Sequence, residues 1–529
     1  MGKFEVWYDN VTEEERVELD ALSKEDIVRY FSNDLEFGTA GIRGKMRLGN
    51  NALNLYTLKK VAQGFLKYLK KHYISIVVIG YDNRNNSDDF SKLMSIILKA
   101  SDINVYRSEH PCSSPFLAYA TRRSNNAMGV MITASHNHKD DNGLKVYGTN
   151  GAQIDDKLSN EIKAFIDETP ICFKKEALDQ KISNIPASYY QDYYNYILSL
   201  VMNKNTDFSN LNIVYTPQHG VGSYFTVPIL KALKVNAQYV MEQMIPSGDF
   251  IIAPYPNPED VRAFDLAKTY AWLNNADLLV SHDPDADRIG IMVLHQGQYV
   301  YLNGHQVGVL MLDYIMKNKS TSNGYVVKTV VTTPLIDAMC LKNNIECYTT
   351  LTGFKHLAAE VDKHPNKNFL LMFEEAIGYT IDAGVRDKDG HQALIILLEI
   401  AANLKKQNKT LVDNINEIYK EYNYYLDETI NLIDDSAEGV KNIAAIVEKW
   451  RGYNSNEIAG VRILAKEDFL NMPGFPASNF IKFILEGNST VIIRPSGTEP
   501  KLKYYFSINK PSYEDAKIML EKLKKEVCK

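Results

Sequence analysis

A chain of 529 residues is several times longer than a domain of ~150 residues, so three or four separate cores are expected. A hydrophobic share of 45% and a charged share of 23%, with no low-complexity tract, exclude extended disorder, and a formal net charge of -6 excludes a general field for holding nucleic acid. The five cysteines (Cys112, Cys172, Cys340, Cys347 and Cys528) are scattered, with no CxxC pair or Cys/His cluster, which predicts a reducing compartment and no zinc site. The opening MGKFEVWYDN lacks the apolar core of a signal peptide, and Val6 stands where a myristoylation signal needs Ser or Thr. No apolar run approaches the ~18 residues of a membrane span, so a soluble, cytoplasmic protein is expected.

In chain order, FGTAGIRGK (37–45) comes first. No pair of glycines brackets four residues before Lys45, so a Walker-type nucleotide site is not predicted, although Arg43 remains a candidate anion contact. SIVVIG (75–80) predicts a buried strand and DDFSKLMSIILKA (88–100) a helix. AMGVMIT (127–133) predicts a strand that runs into the polar loop ASHNHKDDNGLK. After the polar stretch NKNTDFSN (203–210), NIVYT (212–216) and TVPILKALK (226–234) repeat the strand and helix cadence, and DLLVS (277–281) runs into HDPDADR. Beyond the turn-rich YLNGHQ (301–306), the cadence returns in YVVKTVVTT (325–333), PLIDAMCLKNN (334–344) and NFLLMF (368–373), the last running into EEAIGY. A long charged segment (408–428) reads as helical, and beyond it TVIIRPSG and KLKYYFS read as alternating strands. The final helix, SYEDAKIMLEKLKKE, has Ser512 and Asp515 at capping-box spacing.

Continuously apolar strands without polar alternation belong to mainly parallel sheets covered on both faces. The predicted fold is therefore α/β: three similar α/β domains with mixed, mainly parallel sheets (1–205, 206–302 and 303–424) and a smaller C-terminal α+β domain (425–529). In such sheets ligands bind beyond the carboxyl ends of the strands, so the loops after the apolar runs carry the chemistry.

HDPDADR places Asp283, Asp285 and Asp287 on alternate residues of a short loop, where their carboxylates point to one side and repel unless a hard cation sits between them. The competing reading is a solvated acidic turn. An EF-hand fails, because position six is Arg288 and position twelve is Leu294. Oxygen-only ligands with a phosphate partner suit Mg²⁺. TASHNHKDDNGLK offers Ser135 as a nucleophile at a strand end, with His136 beside it and Lys145 ten residues on as candidate proton donor or acceptor. A lone Ser in a polar loop is ordinarily a turn residue or cap; the triple-Asp loop in an adjacent unit makes it a candidate phosphoryl acceptor. RPSGTEPK (494–501) concentrates Arg494, Ser496, Gly497 and Thr498 into a phosphate clamp, with a polar hairpin loop as the alternative.

With these residues in view, the chain closely resembles the α-D-phosphohexomutase family of phosphoglucomutases and phosphomannomutases over nearly its whole length. TASHN resembles the family's phosphoserine loop, DPDADR its metal loop, FEEAIGY its sugar-recognition loop and RPSGTEPK its phosphate-binding loop. The resemblance implies that Ser135 is phosphorylated and that its phosphate completes the shell of a Mg²⁺ held by Asp283, Asp285 and Asp287. It implies Lys145 and His136 near the proton transfers, Arg43 and Arg288 near the phosphoserine, Glu374 on sugar hydroxyls, and Arg494, Ser496, Gly497 and Thr498 on the non-reacting phosphate. TGFK (352–355) and DKDG (387–390) look like further substrate loops, bringing in Thr352, Gly353, Lys355 and Lys388, and all these loops are expected around one central cleft. The implied activity interconverts hexose 1-phosphate and hexose 6-phosphate, with a sugar 1,6-bisphosphate as activator. The implied partner is a small phosphosugar, with no nucleic acid and no membrane, in a monomer or weak homodimer. Ala376 stands where many members have Ser, and Phe373 where Gly is usual, a pattern similar to the branch that includes phosphopentomutases acting on ribose 1- and 5-phosphates. A metal-dependent sugar phosphatase and a non-catalytic phosphosugar sensor are the remaining alternatives.

Overall fold

A computed structural model describes residues 2–38, 41–434, 436, 438–496 and 500–528. The chain divides into two compact units: residues 1–303, 354–363 and 376–408 form the first, and residues 304–353, 364–375 and 409–529 the second.

The first unit opens with three short helices (Lys3–Asn10, Glu13–Asp20 and Lys24–Phe31) that the periodicity reading does not anticipate. Thr12 and Ser23 cap the second and third, and Trp7, Phe31 and Tyr56 pack edge to face beneath them. Two mixed sheets follow. The strands of the first are β1 (Gly41–Lys45), β2 (Ile76–Tyr81), β3 (Asn104–Arg107), β4 (Ala127–Ile132), β5 (Asp141–Tyr147) and β6 (Ser183–Asn184), in the order β1-β5-β4-β2-β3-β6. β4, β2, β3 and β6 run parallel, whereas β5 is antiparallel to both β4 and β1. The second sheet contains β7 (Asn212–Thr216), β8 (Asn236–Tyr239), β9 (Leu278–His282), β10 (Ile289–His295) and β11 (Gln298–Leu302), in the order β11-β10-β9-β7-β8. Here β9, β7 and β8 are parallel and β10 returns antiparallel. Both sheets thus append an antiparallel hairpin to a parallel core, and the two connections, 133–140 and 283–288, are the loops singled out for their chemistry.

In the second unit the strands Gly324–Thr329, Glu346–Thr350 and Asn368–Glu374 pair in parallel, with Gly324–Thr329 in the middle. The C-terminal sheet is antiparallel, in the spatial order 424–433, 501–510, 489–495, 481–485, 461–468 and 457–458. The helices Gly439–Arg451 and Tyr513–Val527 cover one face through Val447, Leu520 and Leu523 against Ile493, Tyr504 and Phe506. Ile492 and Tyr505, on the other face, pack with Val330, Val331 and Leu351.

Two local expectations are corrected. The run 325–333 is not one strand: it stops at Thr329, the Val330 amide makes a last bond to the Thr350 carbonyl, the Thr332 amide turns back to the Thr329 carbonyl, and the Val330 and Val331 side chains join the apolar cluster with Tyr505. The segment 408–428 is helical only over Leu411–Tyr422; Asn423 takes φ 73°, which helices tolerate at their ends, and Tyr424–Ile433 becomes a ten-residue strand. YLNGHQ lies where β11 ends at Leu302 and the helix Gly304–Asn318 begins, and the division between the two units falls within it.

Candidate active site

The serine hairpin loop is shaped by the threonine that follows its strand. The Thr133 hydroxyl accepts the Ser135 amide at 2.8 Å, folding the chain into a turn in which Ser135 has φ 51°. A left-handed backbone costs a residue with a Cβ about 1–2 kcal/mol, so the surroundings must impose it. A related turn stands at the end of β7, where Thr216 accepts the Gln218 amide at 3.0 Å and both Gln218 (φ 53°) and His219 (φ 61°) are left-handed. Only the first copy carries a hydroxyl at its apex.

Ser135 is buried, and its hydroxyl donates to Asp283 Oδ2 at 2.7 Å, with His136 Nδ1 3.2 Å from the same oxygen. Asp283, Asp285 and Asp287 are almost fully buried and each offers an oxygen within 4.8 Å of the others. Burial and the two neighbouring carboxylates push Asp283 well above the usual carboxylate range. Asp287 is held low despite burial, by Lys145, Lys388 and Arg288. Asp285, raised by burial and by Asp287, is brought below its ordinary value by Lys145. Lys145 reaches from β5 to Asp285 at 2.6 Å and Asp287 at 2.7 Å, and these carboxylates hold its pKa well above the usual range against the cost of burial. Burial and the cations Arg288 and Arg43 hold His136 well below the imidazole range, so it is neutral.

The residues fit a divalent cation. Asp285 Oδ1 and Asp287 Oδ1 are buried with no hydrogen-bond partner, and three carboxylates facing two lysines leave oxygen ligands of the type that hard cations take.

Arg43, on β1, bonds Asn137 Oδ1 at 3.3 Å in the serine loop. The Arg288 amide closes the metal loop on Asp283 at 3.0 Å, while its guanidinium pairs with Glu259 at 2.9 Å. Lys388 lies 3.3 Å from Asp287 and 3.4 Å from Asp387. Its stem crosses Gly378, where any Cβ would meet Lys388 Cδ at 2.2 Å. Lys355 pairs with Asp156 at 2.6 Å. In the second unit, Glu374 ends its strand and accepts the Gly353 amide at 2.7 Å, joining the sugar-recognition loop to TGFK, in which Thr352 precedes Gly353. Arg494 lies in the strand Ser489–Pro495, and the Ser496 amide donates to the Lys501 carbonyl at 2.7 Å; Gly497 and Thr498 lie outside the described residues.

Three partners escaped the motif reading. Ser114 donates to Asp285 at 2.5 Å, Glu259 holds Arg288, and Asp387 accepts from Tyr147 at 2.9 Å and Gln153 at 2.7 Å while receiving the Lys388 amide. Asp387 sits inside the quoted DKDG, so its signal was present; Ser114, far from any acidic loop in sequence, had none.

Four family models match the chain in order, the last two overlapping: Phosphoglucomutase/phosphomannomutase alpha/beta/alpha domain I at residues 34–170, domain II at 189–297, domain III at 303–422, and the C-terminal domain at 399–521. A phosphoglucomutase of Staphylococcus aureus (strain bovine RF122 / ET3-1) is 36% identical over 509 residues, covering 92% of this chain and 91% of the relative. A phosphoglucomutase of Staphylococcus epidermidis is 34% identical over 527 residues, covering 95% and 94%. Among solved structures, a putative phosphomannomutase from Thermus thermophilus superposes with a TM-score of 0.73 at 21% identity, covering 94% of this chain and 98% of its own, which shows a shared fold. The chain therefore belongs to the phosphoglucomutase/phosphomannomutase family of α-D-phosphohexomutases and is an enzyme of the isomerase class.

Proposed function

We propose that the enzyme interconverts hexose 1-phosphate and hexose 6-phosphate through a phosphorylated Ser135 and a bisphosphorylated sugar. The observation that carries this reading is the Ser135 hydroxyl, buried at the apex of a left-handed turn and 2.7 Å from Asp283 of the triple-carboxylate cluster. In the proposed reaction the P–Oγ bond of phospho-Ser135 breaks as a P–O bond to the free sugar hydroxyl forms, and the hydroxyl proton passes to a base of this chain. The other phosphoryl group then returns to Ser135, so a sugar 1,6-bisphosphate acts as activator.

Neutral His136 suits proton acceptance and charged Lys145 suits donation. Asp283, Asp285 and Asp287 would hold the cation, Mg²⁺ by its preference for oxygen, which supplies positive charge to the phosphoryl oxygens when bound. Arg43, Arg288 and Lys388 add charge around the transferring group, in keeping with a reaction that rests on positioning and charge neutralisation. Glu374, Thr352, Gly353 and Lys355 are assigned to the sugar, and Arg494, Ser496, Gly497 and Thr498 to its other phosphate. The cited relatives bear the name phosphoglucomutase, which favours a hexose over a pentose.

Incubating the protein with glucose 1,6-bisphosphate should add the mass of one phosphoryl group, located at Ser135. Ser135→Ala should lose that mass gain and the conversion of glucose 1-phosphate to glucose 6-phosphate. Turnover by Ser135→Ala at the wild-type rate would sink the proposal, and release of free phosphate in excess of isomer would replace it with a phosphatase.

A further inference from the structure

β2 ends in the loop Asp82-Asn83-Arg84, which no step above uses. Arg84 is 3% exposed, and both terminal nitrogens of its guanidinium are spent on the serine hairpin. One terminal nitrogen donates to the Ser135 carbonyl at 2.5 Å and the Asn137 carbonyl at 2.6 Å; the other donates to the His138 carbonyl at 2.9 Å and the Asp141 carbonyl at 3.1 Å. Nε lies 3.5 Å from the buried Asp82 carboxylate, whose other oxygen accepts the Arg84 amide at 2.9 Å and the Ser87 hydroxyl at 2.7 Å. The Phe250 ring stacks over the guanidinium with its centroid 4.9 Å away.

A hairpin with four carbonyls on one cation is held at four points, and among them is the carbonyl of the residue that carries the strained φ. We infer that Arg84 is a positioning residue: its planar fork imposes the left-handed turn on Ser135 and so fixes the direction in which the hydroxyl leaves the loop. Arg84 makes no hydrogen bond to that hydroxyl or to the carboxylates that face it; it holds the loop through the backbone, with Asp285 and His136 within reach of its charge. A lysine offers three donors on a point charge and cannot span four carbonyls, so it is no substitute. The link from turn to turnover rests on the proposed role of Ser135.

The test uses the full chain with Arg84→Ala and Arg84→Lys, and reads amide hydrogen exchange, melting temperature, and kcat and KM for glucose 1-phosphate. In Arg84→Ala, exchange across 133–141 should rise by roughly tenfold or more while the rest of the chain keeps its protection. Its kcat should fall about a hundredfold, the scale of a misplaced reacting group, with KM within roughly threefold. Methylguanidinium should restore part of that loss and methylammonium none of it. Should Arg84→Ala not fold, Arg84→Lys carries the same comparison, with the same loss and no rescue. Wild-type exchange across 133–141 in the folded variant, or a kcat within roughly threefold of wild type, overturns the inference. Absence of mutase turnover in the wild-type protein overturns the proposed function instead, and the exchange comparison then decides the clamp alone.

Discussion

The Phe373 ring fills the space that Gly308 leaves open: a Cβ at Gly308 would meet the ring at 2.2 Å. Phe373, fully buried next to Glu374, is therefore a core residue of its strand and contributes no surface to a sugar. Its departure from the family pattern is absorbed by packing, which leaves Ala376 as the substitution to weigh for substrate choice. Gly308→Ala should destabilise the protein by about 1–3 kcal/mol through overpacking, and Phe373→Leu in the same chain should recover part of that. Urea unfolding of the two single variants and the double variant checks this; additive losses would mean that the two residues do not share the space.

At the same scale, the sequence disclosed residues whose type and spacing are themselves chemical statements. Three aspartates on alternate positions admit few uses, and they converge as expected. Arg84 and Ser114 were illegible because their partners are backbone carbonyls or a carboxylate 171 residues away, and pairing across sheets leaves no local pattern. Lys355 was assigned by motif position, and its ion pair with Asp156, 199 residues away, left no local signal.

Among elements, apolar runs located strands well where both neighbours were strands. NIVYT is matched residue for residue by β7, and NFLLMF by a strand one residue longer. They failed where apolar residues served another packing partner, as Val330 and Val331 do, and where one asparagine ended a helix that charge patterning would have continued. The N-terminal helices were missed because each spans only eight residues, too few for periodicity to register, although Thr12 and Glu15 carry a complete capping box. Capping signals are short-range and survive better: the Ser512 hydroxyl accepts the Asp515 amide at 3.2 Å and donates to its carboxylate at 2.6 Å. Ser512→Ala should cost about 1 kcal/mol, seen as a lower melting temperature, while Ser512→Asp should hold near wild type. Equal melting of the alanine variant and wild type would show that tertiary contacts of Tyr513–Val527 make the cap redundant.

For the whole molecule, the three candidate metal ligands and the serine they face all belong to the first unit, so binding there must be registered there. At a hundredfold excess over its dissociation constant, Mg²⁺ should add about 2.7 kcal/mol of stability, and Asp285→Asn should abolish the gain. Calorimetry with and without the cation measures it, and hydrogen exchange should place the added protection on 133–145 and 283–288. Protection confined to residues of the second unit would exclude the aspartate loop as the site.

The paired turns at Thr133 and Thr216 have one more implication. Gln218 adopts the same improbable backbone as Ser135 with no reactive group to justify it. The left-handed φ therefore does not by itself mark a nucleophile: a threonine accepting the amide two residues on accompanies it in both sheets, and the hydroxyl at the apex is what distinguishes the first.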